Sequence, residues 1–311
     1  MSGELQSPTV ILSVDFELRW GLHDRYGAAV DAQGQHLSNA RQVVPKLIQL
    51  LSERGLHATW ACVGALGCRD WDEYFLRAPR APRYQDPTLA FRPEYADLDP
   101  RGELHFAPEL LEMIHAAPGQ ELGTHTFSHL LCREPGIVEE DLRADLEAVT
   151  QLWQERYGAP PRSLAFPRNQ SAFLALIRSS TIRIWRGNPT PWYHDCHDAA
   201  SNRLVARMCR VADGMNPLAK GTTALQGDMV RSSLFLRVAW PDLAWRLHLS
   251  RIQREIASLG PGQIFHLWWH PHNFGVDTAV RLSRLEQVLD CIAERQARGE
   301  LVSRSMGEMV V

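Results

Sequence analysis

The chain has 311 residues, a formal net charge of −3, 45% hydrophobic residues and 22% charged residues. This is the composition of an ordinary globular protein, long enough for two average domains or one large α/β barrel. No dense Lys/Arg run invites nucleic acid or an acidic membrane surface, and no apolar run is long enough to span a bilayer.

The N-terminal stretch "MSGELQSPTV" lacks the basic region and apolar core of a secretory signal, so cytoplasmic residence is expected. "TVILSVDFEL" reads as a strand with Asp15 and Glu17 near its C-terminal end. Helical apolar spacing follows from Asn39 to Glu53, with Gly55 as a stop, and "HATWACVG" is a second strand. Residues 68–105 are rich in Pro, Arg, Asp and aromatics and show no period, which predicts an insertion or long loop. "PELLEMIHAA" is a helix, "QELGTHTFSH" a strand running into a turn, and "EEDLRADLEAVTQLWQERYG" an amphipathic helix ending at a glycine cap. "SLAFPRNQ" is a strand stopped by Pro167; "ALIRSS" and "IRIWRGN" continue the alternation, followed by a second long loop over 189–227. "AWRLHLSRIQREIASLG", "QIFHLWWH" and "RLSRLEQVLDCIAERQARG" then complete it. The βαβα order predicts one domain over 1–311, a parallel sheet with helices outside. Cys62, Cys68, Cys132, Cys196, Cys209 and Cys291 form no C-x-x-C pair, so free thiols are expected.

In parallel sheets the strand C-termini face the site, and the chemically interesting residues fall there. Asp15 and Glu17 are two apart, so on a strand both carboxylates project to one face. They would repel unless a cation or proton neutralised them; the bland alternative is two solvated acids. His125 and His129 have the i, i+4 spacing of helical zinc-binding pairs, although a chain with 13 histidines can produce such a pair by chance. Two histidines and a carboxylate form a recurring catalytic zinc site, which Glu17, His125 and His129 can supply, leaving Asp15 as a base. Arg168 could hold Asp15, bind a substrate anion, or be a surface arginine; Asn169 offers a donor and an acceptor to a hydroxylated ligand. In "FHLWWHPHNFG", His270 ends a buried strand before Pro271, where an imidazole could protonate a leaving amine. His266 reads as a core histidine and His272 as a substrate contact. Trp185, Trp268 and Trp269 are core aromatics by default, with Trp185 and Trp269 taken as the candidates for lining a sugar site.

With these stretches together, the chain resembles the polysaccharide deacetylase superfamily, of the NodB-homology or carbohydrate esterase 4 type, from Val10 to about Gly275. "HTFSH" matches its H-[ST]-x-x-H motif, and the motif order agrees. "DFE" stands where the family usually has adjacent aspartates, and "FPRNQ" replaces an arginine–proline–tyrosine motif. The resemblance implies a distorted (β/α) barrel, usually of seven strands. It further implies one divalent ion, zinc by its ligands, on Glu17, His125 and His129, with Asp15 as base, His270 as acid and Arg168 orienting the base. The activity it implies is N-deacylation, removing acetyl or formyl from a small-molecule or carrier-linked sugar in surface-polysaccharide synthesis. Two other readings remain open: hydrolysis of a small non-sugar amide such as a ureide or cyclic imide, and a non-catalytic carbohydrate-binding protein.

Overall fold

The computed structural model describes residues 7–22, 31–195 and 204–310; Cys196 and residues 196–203 of the second long stretch lie outside them. Among the described residues nine strands pair into one sheet, and every pairing between them is parallel. They are β1 (Thr9–Phe16), β2 (Ala58–Cys62), β3 (Gln120–Thr124), β4 (Ser163–Ala165), β5 (Ile184–Gly187), β6 (Met229–Arg231), β7 (Leu234–Phe235), β8 (Ile264–Trp269) and β9 (Val302–Arg304). Their order is β6-β5-β4-β3-β2-β1-β8-β7, with β9 beside the start of β1. The count departs from the expected seven. One reason is that β6 and β7 are pieces of a single extended stretch. Between them Ser232 N–H donates to Gly187 O on one side and Ser233 N–H to His266 O on the other, at 2.8 Å each. The stretch therefore links β5 to β8, the two ends of the sheet.

Nine helices surround the sheet among the described residues: α1 (Asp31–Glu53), α2 (Trp71–Arg77), α3 (Glu94–Leu98), α4 (Pro108–Ala116), α5 (Glu139–Tyr157), α6 (Leu174–Ser179), α7 (Leu204–Met215), α8 (Asp242–Ala257) and α9 (Thr278–Ala297). None is long and apolar enough to cross a membrane. The glycine cap of α5 is Gly158, in the left-handed region at φ 75°. The five described cysteines are unpaired.

Every residue of β1 is buried, as expected of a strand covered on both faces. Val10, Leu12, Val14 and Phe16 join the main core under the helices. Ile11 points the other way, into a small cluster with Ile184, Val230, Ile264, Met306 and Met309. That cluster fills the barrel at the strand N-termini. Farther along the same inner face come Ser13 and Asp15, so the interior changes from apolar to ionised toward the strand C-termini.

The first long stretch is structured rather than a bare loop. Trp71 and Tyr74 of α2, with Phe91, surround Trp20 at centroid distances of 6.5, 5.0 and 5.2 Å. Trp20 Nε1–H donates to His105 O at 2.7 Å. The insertion thus braces the turn Leu18–Gly21 that immediately follows Glu17. The second stretch contains α7, whose apolar face includes exposed Leu204, Val205 and Met208, and it brings Pro189, His194 and Arg210 to the main cavity.

Candidate active site

Strand β1 delivers Asp15 inward, and Glu17 follows where the chain leaves the strand. Both are buried, at 2% and 5% exposure. Arg186 of β5 grips Asp15 from across the barrel: Nη1 donates to Oδ1 at 2.7 Å and Nη2 to Oδ2 at 2.6 Å. Burial pushes the Asp15 carboxyl up, but the Arg186 charge and its hydrogen bonds outweigh that and hold it below the usual range. Glu17 is likewise pushed up by burial, and the surrounding histidines bring it well below its usual value. Close to Glu17, Gly21 is required for lack of a side chain: a Cβ there would lie 2.1 Å from Glu17 Cδ.

The two histidines of "HTFSH" do meet, though not on a helix. Strand β3 ends at Thr124, and the chain then loops with Thr126 and His129 at φ 62° and 60°. The loop is pinned by Asp145 of α5, whose carboxylate accepts from Phe127 N–H, Ser128 N–H and the Ser128 hydroxyl. Burial pushes Asp145 up to about 6 against those donors. His129 Nε2 comes to 3.1 Å and His125 Nε2 to 3.6 Å from Glu17 Oε2. Each of the three residues offers a ligand atom within 4.8 Å of the others.

This donor set fits a divalent ion. His125 Nδ1–H donates to Ala165 O at 2.8 Å, which fixes the tautomer and leaves the Nε2 lone pair facing Glu17. His129 is pushed down to about 4, chiefly by burial, so at neutral pH its lone pair is also available.

Behind Asp15 lies a buried polar relay. Arg186 Nη1 also donates to Ser13 Oγ at 3.0 Å, and Ser13 Oγ lies 2.8 Å from His266 Nε2. Burial pushes His266 down to about 3, so the imidazole that Ser13 meets is neutral. The Arg186 guanidinium stacks on Trp268 at 4.3 Å, and its Nη2 reaches Asn169 Oδ1 at 3.1 Å.

At the open side, His270 Nε2 stands 3.9 Å from Asp15 Oδ2 and 3.7 Å from Glu17 Oε1. His272 Nδ1 lies 3.8 Å from Glu17 Oε1, and its ring stacks on that of His270 at 4.6 Å. A cavity of about 350 Å³ opens over these groups, lined also by Arg168, Arg210, Phe235 and Arg237.

The comparisons with known proteins agree with this architecture. Residues 31–178 match the family model described as polysaccharide deacetylase, a span that contains His125 and His129. A protein of Mycobacterium smegmatis, provisionally assigned as a polysaccharide deacetylase, has the same fold: TM-score 0.60 at 16% identity, over 99% of this chain and 90% of that one. Over residues 31–178 the chain is therefore similar to polysaccharide deacetylases, and its fold is that of the Mycobacterium smegmatis protein. A carbohydrate esterase 4 family pseudoenzyme from Bacillus anthracis superposes with TM-score 0.48 at 12% identity, covering 98% of this chain and 66% of its own. The chitin deacetylase of the fungal pathogen Colletotrichum lindemuthianum does so with TM-score 0.44 at 12% identity, covering 98% and 88%. No curated protein matches the sequence.

Three sequence expectations need correction. The guanidinium that takes both oxygens of Asp15 is that of Arg186; Arg168, expected in that role, lines the cavity instead. Trp269 is fully buried in the outer core, whereas Trp268 lines the cavity, because residues one apart on a strand face opposite sides. Trp185 fails as a lining residue of this cavity for the same reason: Arg186 points inward, so its neighbour packs outward against Phe166. Asn169 and His272 do line the cavity, with Asn169 also supporting Arg186. For Arg186 the sequence signal is an arginine inside the otherwise apolar strand "IRIWRGN", which needs a buried partner. Gly21 and Asp145 left no local signal, since each acts on a residue it meets only in the folded chain.

Proposed function

We propose that this chain is a metal-dependent N-deacylase acting on an amide-bearing sugar, in the cytoplasmic synthesis of surface polysaccharide. The observation that carries the reading is the grouping of Glu17, His125 and His129 beside Asp15 and His270 under one cavity. Zinc is the ion of choice, because imidazole and carboxylate ligands suit it. A divalent ion held by Glu17, His125 and His129 supplies Lewis acidity toward the amide carbonyl and lowers the pKa of water.

The remaining work falls to the chain's own side chains. Asp15, kept ionised by Arg186, accepts the proton of the attacking water. Trp268 and Asn169 hold Arg186 so that the carboxylate does not swing toward the ion. His270 Nε2, on the open side of the carboxylates, gives a proton to the departing nitrogen. Its ring is flanked by Phe235 and Trp268, each with its centroid 5.6 Å away, which keeps it edge-on to the cavity. Amine and carboxylic acid are the products.

The test is amine release from N-acetyl and N-formyl sugars by zinc-reconstituted protein. Release that stops on chelation and returns with metal supports the reading. No release from any N-acylated sugar by the metal-loaded protein would sink it.

A further inference from the structure

The cavity is lined by more guanidiniums than the deacylation chemistry uses. Its two carboxylates are both committed: Asp15 to Arg186 and Glu17 to the histidines. Three further guanidiniums, Arg168, Arg210 and Arg237, line the same space. Arg210 Nη1 donates to Tyr193 O at 2.9 Å. Arg237 is the most telling. It lies half-buried with its guanidinium carbon 5.3 Å from the Phe235 ring and 5.0 Å from the Trp240 ring. No carboxylate among the described residues comes within ion-pairing distance of it. Asp213, whose field reaches it, is bonded to His194 at 3.3 Å and Arg251 at 3.1 Å. Burial and the nearby Arg210 push Arg237 down to about 10, the direction of a cation in want of a counter-charge.

The position is as informative as the charge. Phe235 neighbours both the acid and the cation, its ring 5.6 Å from that of His270 and 5.3 Å from the Arg237 guanidinium carbon. One aromatic ring therefore lies next to both the His270 ring and the Arg237 guanidinium, a spacing between them that suits a single sugar residue. Guanidiniums bind phosphate through paired, charge-assisted hydrogen bonds, and several converging on one cavity suit a multiply charged oxyanion.

We infer that Arg237, with Arg168 and Arg210, forms a subsite for a phosphoryl group on the substrate, so that the molecule deacylated is a phosphorylated N-acyl sugar. This rests on the deacylase reading for the word substrate, but the anion subsite can be measured without turnover. Inorganic pyrophosphate is titrated by calorimetry into the wild-type protein and into Arg237→Gln, each with and without chelator. The expected result is binding to the chelated wild type that weakens roughly tenfold to a hundredfold in Arg237→Gln, the usual worth of a charge-assisted pair. Equal affinity of the two proteins, or binding that vanishes with the metal, overturns the subsite. Arg237→Lys, which keeps charge but loses the fork, should recover part of the affinity.

Turnover then identifies the source of the phosphate. N-acetylglucosamine, its 1-phosphate, a uridine diphosphate sugar and a prenyl-phosphate-linked sugar in detergent micelles are compared by kcat/KM. A phosphorylated form should exceed the neutral sugar roughly tenfold or more in the wild type, with the ratio collapsing in Arg237→Gln. A ratio that is the same in both proteins contradicts the subsite. Absence of turnover with every sugar, while pyrophosphate still binds through Arg237, condemns the deacylase reading alone.

Discussion

Arg186 and Asp15 sit 171 residues apart in sequence and meet through two parallel hydrogen bonds inside the barrel. The pair is fully buried, and the Arg186 charge keeps the Asp15 carboxyl ionised against the cost of burial.

Replacing Arg186 by Gln therefore has a stability signature as well as a catalytic one. In the wild type, Asp15 titrates below its ordinary value of 3.8, so its contribution to stability is present above that value and is lost as pH falls below it. Without Arg186, burial dominates and the carboxyl titrates above 3.8, so the sign reverses and stability is lost as pH rises. Urea unfolding at pH 7 should show a loss of about 3–5 kcal/mol for Arg186→Gln, shrinking toward pH 4.5. A pH-independent loss would contradict the assignment.

Metal analysis separates ligands from base. Native protein should hold about one zinc per chain, and His125→Ala or His129→Ala should lose most of it. Asp15→Asn should keep the metal yet lose roughly two to four orders of magnitude in turnover. If Asp15→Asn strips the metal while Glu17→Gln retains it, the two carboxylates have exchanged roles.

Gly21 supports Glu17 by having no side chain. In Gly21→Ala the new methyl would meet the Glu17 carboxyl at 2.1 Å, which forces that group off its present position. Zinc affinity, read by chelator competition, should fall roughly 10- to 100-fold, the usual effect of disturbing a ligand's support. Unchanged affinity would mean that Glu17 is not a ligand.

Asp145 acts on the other half of the set. Asp145→Ala leaves the Phe127 and Ser128 donors without their acceptor and frees the loop that carries His129. The expected loss is about 1–3 kcal/mol per stranded buried donor, with metal affinity falling in parallel. Activity of this variant should recover partly in excess zinc, which a purely global loss of fold would not do.

His270 is tested by the leaving group. His270→Gln should slow amide hydrolysis by roughly two to four orders of magnitude while retaining metal. An aryl acetate, whose leaving group needs no proton, should be hydrolysed at nearly the wild-type rate. Equal impairment on ester and amide would remove His270 from the acid role.

What was legible in the sequence follows from how local each signal is. Asp15, Glu17 and His270 declare themselves by strand parity and by their place at strand ends, which a short window contains. His125 and His129 were legible as a pair, but their loop conformation was not, because left-handed residues at Thr126 and His129 are held by Asp145 from a distant helix. The choice of Trp269 over Trp268 missed by one residue, since only His266 and His270, which share parity with Trp268, mark the inner face. The short helices α2 and α3 hid among prolines and arginines, where no apolar period can develop. Arg186 was the costliest omission, because its partner lies on another strand and neither sequence neighbourhood names the other.

The central position of β1 has a consequence for biosynthesis. Its residues pair with β2 on one side, but the other side waits for β8, and Thr9–Ile11 also wait for β9 at Val302–Arg304. In the chain β1 and β2 come well before β8 and β9. Until β8 is made, one edge of this largely apolar strand stays unpaired, the condition under which nascent chains pair wrongly with one another. Asp15 thus rides on a strand whose pairing cannot be completed until β8 and β9, late in the chain, have emerged.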